Sequence, residues 1–97
     1  RNFPNDGVIR IATTGRLVEK KGIEYVIKAI AQVAKIYPCL EYNVIGDGEL
    51  KEKFEKLSAE LNVNHIVKLL GWKQQKEIVE ILDKCHIFVA PSVTGKD

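Results

Sequence analysis

The sequence is short of the residues that would make it a disulfide scaffold, a metal module, a membrane span or a nucleic-acid surface. Only two cysteines occur among its 97 residues. Cys39 and Cys85 have no metal-ligand spacing and read as reduced thiols of a cytosolic protein rather than as a disulfide pair. No apolar run approaches the ~20 residues a membrane-spanning helix needs. Lysine and arginine number 15 against 13 aspartates and glutamates, a formal charge of +2. The two signs are interleaved, which argues against a nucleic-acid partner. His65 and His86 have no acidic or cysteine neighbour at ligand spacing, and no acidic cluster offers a metal site. No Ser/His/Asp or Cys/His constellation can be assembled, so no nucleophile or general base stands out. Gly46 and Gly48 lack the third glycine of a dinucleotide fingerprint. Gly95 and Lys96 lack the upstream glycine and the following Ser or Thr of a phosphate-binding P-loop. Hydride transfer and P-loop nucleotide hydrolysis lose their support.

What remains is an ordinary globular balance, 45% hydrophobic and 29% charged, enough for one small domain with a single core. Residues 1–7, polar and turn-rich, read as an interdomain linker, and residues 8–97 as the domain. The sequence stops directly after an apolar strand-like run, where a domain would continue into another helix, so both ends read as cuts within a longer protein.

Within the domain, two periodicities alternate. VIRIAT (8–13) is rich in β-branched residues and reads as a buried strand. From Gly22 the apolar residues Ile23, Val26, Ile27, Ile30 and Ala34 mark one face of a helix that ends before Pro38. LEYNVIG (40–46) reads as a second strand. Leu50, Phe54, Leu57 and Leu61 form the next helical stripe, with lysine and glutamate on its other face. HIVKLLG (65–71) is a third strand, and Ile78, Ile81, Leu82 and Cys85 are a third stripe. HIFVAPS (86–92) closes the pattern as a fourth strand. The order β-α-β-α-β-α-β predicts an α/β, Rossmann-like parallel sheet with helices on both faces, because parallel neighbours need right-handed crossovers.

Ligands of such sheets bind outside the carboxyl ends of the strands. Four segments fall there: TGRLVEKKG, GDGEL, GWKQQ and PSVTGKD. In the first, Arg16 offers a planar fork of donors suited to phosphate oxygens, and Lys21 a compact charge. The start of the following helix adds free N–H groups and a partial positive charge. Gly15 and Gly22 allow close backbone approach. The alternative is two solvated cations paired locally with Glu19 or Glu24. GDGEL is either a surface on which a ligand packs or a tight turn with Asp47 or Gly48 as helix cap. Ser92 presents a hydroxyl to a ligand or caps a following helix. Trp72 stacks on a base or sugar, or is half-buried against the neighbouring helix.

Taken together, GRLVEKKGIEYVIKAI, YNVIGDGEL, KLLGW and IFVAPS resemble the carboxyl-terminal domain of GT-B glycosyltransferases of family 4, from about Ile9 to Ser92. Bacterial surface-polysaccharide transferases, those making colanic or capsular polymers, are the nearest likeness. The motif of an arginine followed five residues later by lysine and then glycine is met by Arg16, Lys21 and Gly22. The resemblance implies the donor-binding part of a retaining enzyme that uses a nucleotide-diphosphate sugar, such as a UDP- or GDP-sugar, without a bound metal or other cofactor. It further implies that Arg16 and Lys21 contact the donor diphosphate and stabilise charge on the leaving nucleoside diphosphate. Gly15, Gly46, Gly48, Trp72 and Ser92 are implied to lie around the nucleotide, with residues 71–72 near the base. A carbohydrate or lipid-linked acceptor would bind through an amino-terminal domain. The whole protein would be cytoplasmic, with peripheral association at the inner face of the membrane allowed for. The sequence departs from the family at His86, where aspartate is frequent, and it ends before the paired glutamates expected after Ser92. The competing reading is a non-catalytic α/β interaction module.

Overall fold

The computed structural model describes residues 7–15 and 20–89, with the backbone alone at Lys20 and Lys21. Arg16, Ser92 and the linker reading for residues 1–6 lie outside the described residues. The elements are β1 (Ile9–Thr14), α1 (Lys20–Val33), β2 (Leu40–Ile45), α2 (Lys51–Glu60), β3 (Val67–Gly71), α3 (Gln75–Asp83) and β4 (Ile87–Phe88). All strands are parallel, in the order β3-β2-β1-β4. The α/β, Rossmann-like expectation therefore holds.

The strand order fixes where the helices go. Two crossovers step outward from β1 to β2 and β3, and the third returns across the sheet to β4. Right-handed connections then place α1 and α2 on one face and α3 on the other. One core cluster joins Ile23, Ile27 and Ile30 of α1 to Phe54 of α2 and to Tyr42 and Val44 of β2. Val63 and Ile66, in the loop before β3, complete it. Alternation along β2 sends Asn43 and Glu41 to the opposite face. There the Asn43 Nδ2 donates to Glu41 Oε2 at 2.9 Å, and Arg10 Nε stands 3.8 Å from Glu41 Oε1.

Several boundaries differ from the sequence expectation. β1 runs one residue later, because Thr14 still pairs with Ile45 of β2. β3 starts at Val67 rather than His65, since Val63 and Ile66 close a turn instead, with Ile66 N–H donating to Val63 O at 2.9 Å. α1 begins at Lys20, two residues before Gly22, so Lys21 belongs to the helix and not to the loop before it. The third stripe is shallower than expected: no residue of α3 itself is buried, and Cys85 just beyond it is. Cys39 is exposed and Cys85 buried, and both are free thiols. His86 has a defined task. Its N–H donates to Arg10 O at 2.7 Å and its Nδ1 accepts the Arg10 N–H at 3.0 Å, clasping β4 to β1. An aspartate oxygen could accept the same N–H.

Candidate functional site

The carboxyl edge of the sheet carries a row of glycines, one at the exit of each of the first three strands. Gly15 N–H donates to Ile45 O at 3.0 Å, and Gly46 N–H donates to Gly71 O at 2.8 Å. Gly46 sits at φ 141°, and a Cβ placed on it would lie 1.8 Å from the Gly15 carbonyl oxygen. Only glycine lets the two strand exits touch backbone to backbone. The edge is therefore floored by main chain, and a ligand can approach it closely.

Above this floor lies an open groove of about 680 Å³. Thr14, Gly15, Ile45 and Gly46 form its base, Asp47 and Gly48 one rim, and Trp72, Lys73 and Ile78 the other. Four predicted site residues, Gly15, Gly46, Gly48 and Trp72, thus meet around one concavity. Trp72 is 71% exposed, which corrects the expectation of half-burial against the next helix and leaves the indole face open to the groove. Gly71 is buried and serves instead as the acceptor for Gly46. Neither Asp47 nor Gly48 caps α2: the cap position is Leu50, and Asp47 Oδ1 accepts the Gly48 N–H at 2.9 Å. GDG is thus a self-braced turn that leaves the cap to the residue after Glu49.

Lys21 is the second residue of α1, whose first turn contains no acidic residue. The order β3-β2-β1-β4 makes the seam between β1 and β4 the point where the chain reverses direction across the sheet. In open α/β sheets that point is where crevices form. Among the candidate loops, the exits of β1 and β4 flank this seam.

Below the seam runs a buried chain of hydroxyls. Tyr42 Oη donates to Thr13 Oγ1 at 2.8 Å, and Thr13 Oγ1 donates to the Val89 carbonyl at 2.9 Å. Burial pushes the Tyr42 phenol up to about 12 from its usual 10.0, with the Thr13 hydrogen bond acting in the opposite direction. Sequence reasoning missed Thr13, Tyr42 and Lys73 and offered Asp47 only as a helix cap. Asp47 and Lys73 adjoin glycines and a tryptophan already singled out. The hydroxyl pair could be found only with the strand register in hand, since Thr13 stands opposite Val44 rather than Tyr42.

A family profile described as glycosyl transferases group 1 matches residues 1–96. The amylovoran biosynthesis glycosyltransferase AmsK of Erwinia amylovora is 38% identical over 89 residues, covering 92% of this chain and 22% of that protein. The putative colanic acid biosynthesis glycosyltransferase WcaL of Escherichia coli is 30% identical over 89 residues, with the same coverage of 92% and 22%. Among solved structures, the pneumococcal O-GlcNAc transferase GtfA, in complex with UDP and GlcNAc, matches with a TM-score of 0.73 at 18% identity. That match covers 89% of this chain and 17% of the other. The chain spans about a fifth of the length of the curated relatives it matches.

Proposed function

We propose that this chain, which belongs to the glycosyl transferases group 1 family, is the donor-binding part of a retaining glycosyltransferase. In this reading the whole enzyme moves a sugar from a nucleotide-diphosphate sugar to a carbohydrate or lipid-linked acceptor during polysaccharide or glycoconjugate biosynthesis. The observation that carries it is the start of α1 beside the β1/β4 seam, where a helix opens with Lys20 and Lys21 and no acidic residue. A helix start attracts negative charge through its free N–H groups. Here the first turn of the helix carries cations and no carboxylate, which suits a bound diphosphate.

Arg16 and Lys21 then hold the diphosphate and stabilise the charge that builds on it as the bond to the sugar breaks. Preorganised cations and amides aimed at developing negative charge need no reorganisation at that moment. The proposal therefore assigns the charge to side chains and backbone and calls for no metal. Gly15 and Gly46 supply a floor without side chains, Gly48 a rim, and Trp72 a face on which a base can stack. Ser92 adds a hydroxyl from the segment after β4. The amylovoran and colanic acid relatives support an exopolysaccharide pathway, and the UDP in the GtfA complex supports a nucleotide donor. Acceptor binding is assigned to an amino-terminal domain, and the site of action to the cytoplasm at or near the inner face of the membrane. Among the described residues no helix is long and apolar enough to cross a membrane.

Titration of the chain with UDP and, separately, GDP tests the proposal. Millimolar nucleotide is expected to shift the amide signals of residues 15–22 and to quench the fluorescence of Trp72, the single tryptophan. Absence of both responses with both nucleotides counts against it.

A further inference from the structure

The chain of hydroxyls under the seam has a direction that chemistry imposes. The Val89 carbonyl can only accept, so the Thr13 hydroxyl must donate to it, and the Tyr42 hydroxyl must donate to Thr13. Both side chains are almost wholly enclosed, Thr13 at 1% and Tyr42 at 0% exposure. Core packing alone does not call for this arrangement. Valine and phenylalanine would fill the same volume, so what the hydroxyls add beyond packing is the donor they give to the Val89 carbonyl. The hydroxyls must therefore be weighed by what they hold.

They hold one peptide group. Among the described residues, β1 and β4 share two register pairs, Ile11 with Ile87 and Ala12 with Phe88, whereas β1 and β2 share six. The Val89 N–H donates to Ala12 O at 2.9 Å and its carbonyl accepts from Thr13 at 2.9 Å. Val89 is thus fixed at both of its hydrogen-bonding groups where the regular ladder stops. The chain next runs into the segment bearing Ser92, and the neighbouring exit of β1 leads to Arg16.

We infer that Thr13, oriented by Tyr42, is a positioning residue: it anchors Val89 and so holds the carboxyl end of β4 in place beside the exit of β1, at the seam that the donor-site reading uses. The inference rests on the donor-site reading above for its functional consequence, while the anchor itself stands on the hydrogen bonds. Thr13 touches no substrate in this account and acts only through Val89.

Amide hydrogen exchange without nucleotide tests the anchor, and nucleotide titration tests its consequence. In the double variant Thr13→Val with Tyr42→Phe, the Val89 amide is expected to exchange at least tenfold faster. The Tyr42-position and Gly46 amides, which donate to Ile66 and Gly71, should keep their wild-type rates. Thr13→Ser, which keeps the hydroxyl, should restore slow exchange at Val89. Whichever of UDP or GDP shifts the wild-type spectrum should bind the double variant about tenfold more weakly and Thr13→Ser as wild type. Unchanged Val89 exchange, or a rise shared by every strand, overturns the anchor. If Thr13→Ser loses protection as fully as the double variant, the methyl group and not the hydroxyl is responsible, and the inference also fails. If the double variant does not fold, Thr13→Val alone takes its place in both measurements, with the same expected and overturning outcomes. Loss of the anchor with unaltered nucleotide affinity overturns the positioning role. Failure of the wild-type chain to bind either nucleotide counts against the donor-site reading and leaves the exchange result intact.

Discussion

Among the described residues three helices start at the carboxyl edge of the same sheet, yet α1 begins differently from α2 and α3. Each of the latter carries an acid in its first turn, Glu52 in α2 and Glu77 in α3. Glu77 also reaches back, its Oε1 accepting the Gln74 N–H at 3.1 Å. α1 has no such acid and opens with two lysines. For a helix in isolation this is the wrong polarity, unfavourable by roughly 0.3–1 kcal/mol per charge. α1 follows β1, one of the two strands at the seam, whereas α2 and α3 follow β2 and β3, which do not border it. The same backbone dipoles can be neutralised from within the chain or offered to a ligand, and the two regions make opposite choices.

The largest effect that can break this contrast comes from charge reversal. In the glycosyltransferase proposed to carry this chain, Arg16→Glu with Lys21→Glu is expected to lower turnover about 100-fold or more. The melting temperature should not fall, because α1 then gains the acid its neighbours possess. Glu52→Lys, the mirror change on α2, should leave turnover within about twofold and lower stability slightly. If the reversal instead melts the protein and activity falls only in proportion, the lysines of α1 support the fold and the contrast has no functional content.

Glycine replacement sharpens the picture of the edge on which the two regions meet. Gly46→Ala would drive a methyl into the Gly15 carbonyl at 1.8 Å and hold alanine at φ 141°. A loss of about 3 kcal/mol or more is expected in urea unfolding. Gly71→Ala meets nothing nearer than the flexible Lys51 Nζ at 3.7 Å and carries only the burden of φ 79°. It should lose about 1 kcal/mol. Equal losses would mean that backbone contact between strand exits does not shape the groove.

The smallest effect near neutral pH belongs to Tyr42, which ties the α1 side of the core to the seam. Its folded pKa is raised from 10.0 to about 12, so folding favours the neutral phenol. The associated stability is complete below pH 10 and drains away as the pH climbs from 10 to 12. Denaturant midpoints measured across that window should decline, and Tyr42→Phe should flatten the decline. An equally steep decline in that variant would assign the alkaline sensitivity to other groups.

The sheet and its helices were legible because strands of β-branched residues and amphipathic helices alternate without interruption. Ile23, Ile27 and Ile30 fall on the buried side of α1 as their spacing requires. Gly15, Gly46 and Gly71 announced the strand exits, and the structure gives a steric reason at Gly46. Boundaries were less legible. Gly22 looked like the end of a loop, but a glycine is tolerated in a first turn, and α1 starts before it. Trp72 looked half-covered because sequence does not reveal how far α3 lies from it. The Tyr42–Thr13–Val89 chain left no trace in the pattern. A tyrosine inside a strand reads as one more apolar residue until its neighbour across the sheet is known.

The seam also has a place in time. Two side-chain bonds across it, Arg10 with His86 and Thr13 with Val89, each join positions 76 residues apart. Closing so long a span is entropically dearer than forming the β1-α1-β2 or β2-α2-β3 units. The half-sheet on the α1 and α2 side is therefore expected to assemble first, with β4 docking last. Pulse-labelled refolding in which Val89 gains protection ahead of Gly46 would refute that order. A nascent chain would acquire its hydrophobic core before it could hold any ligand.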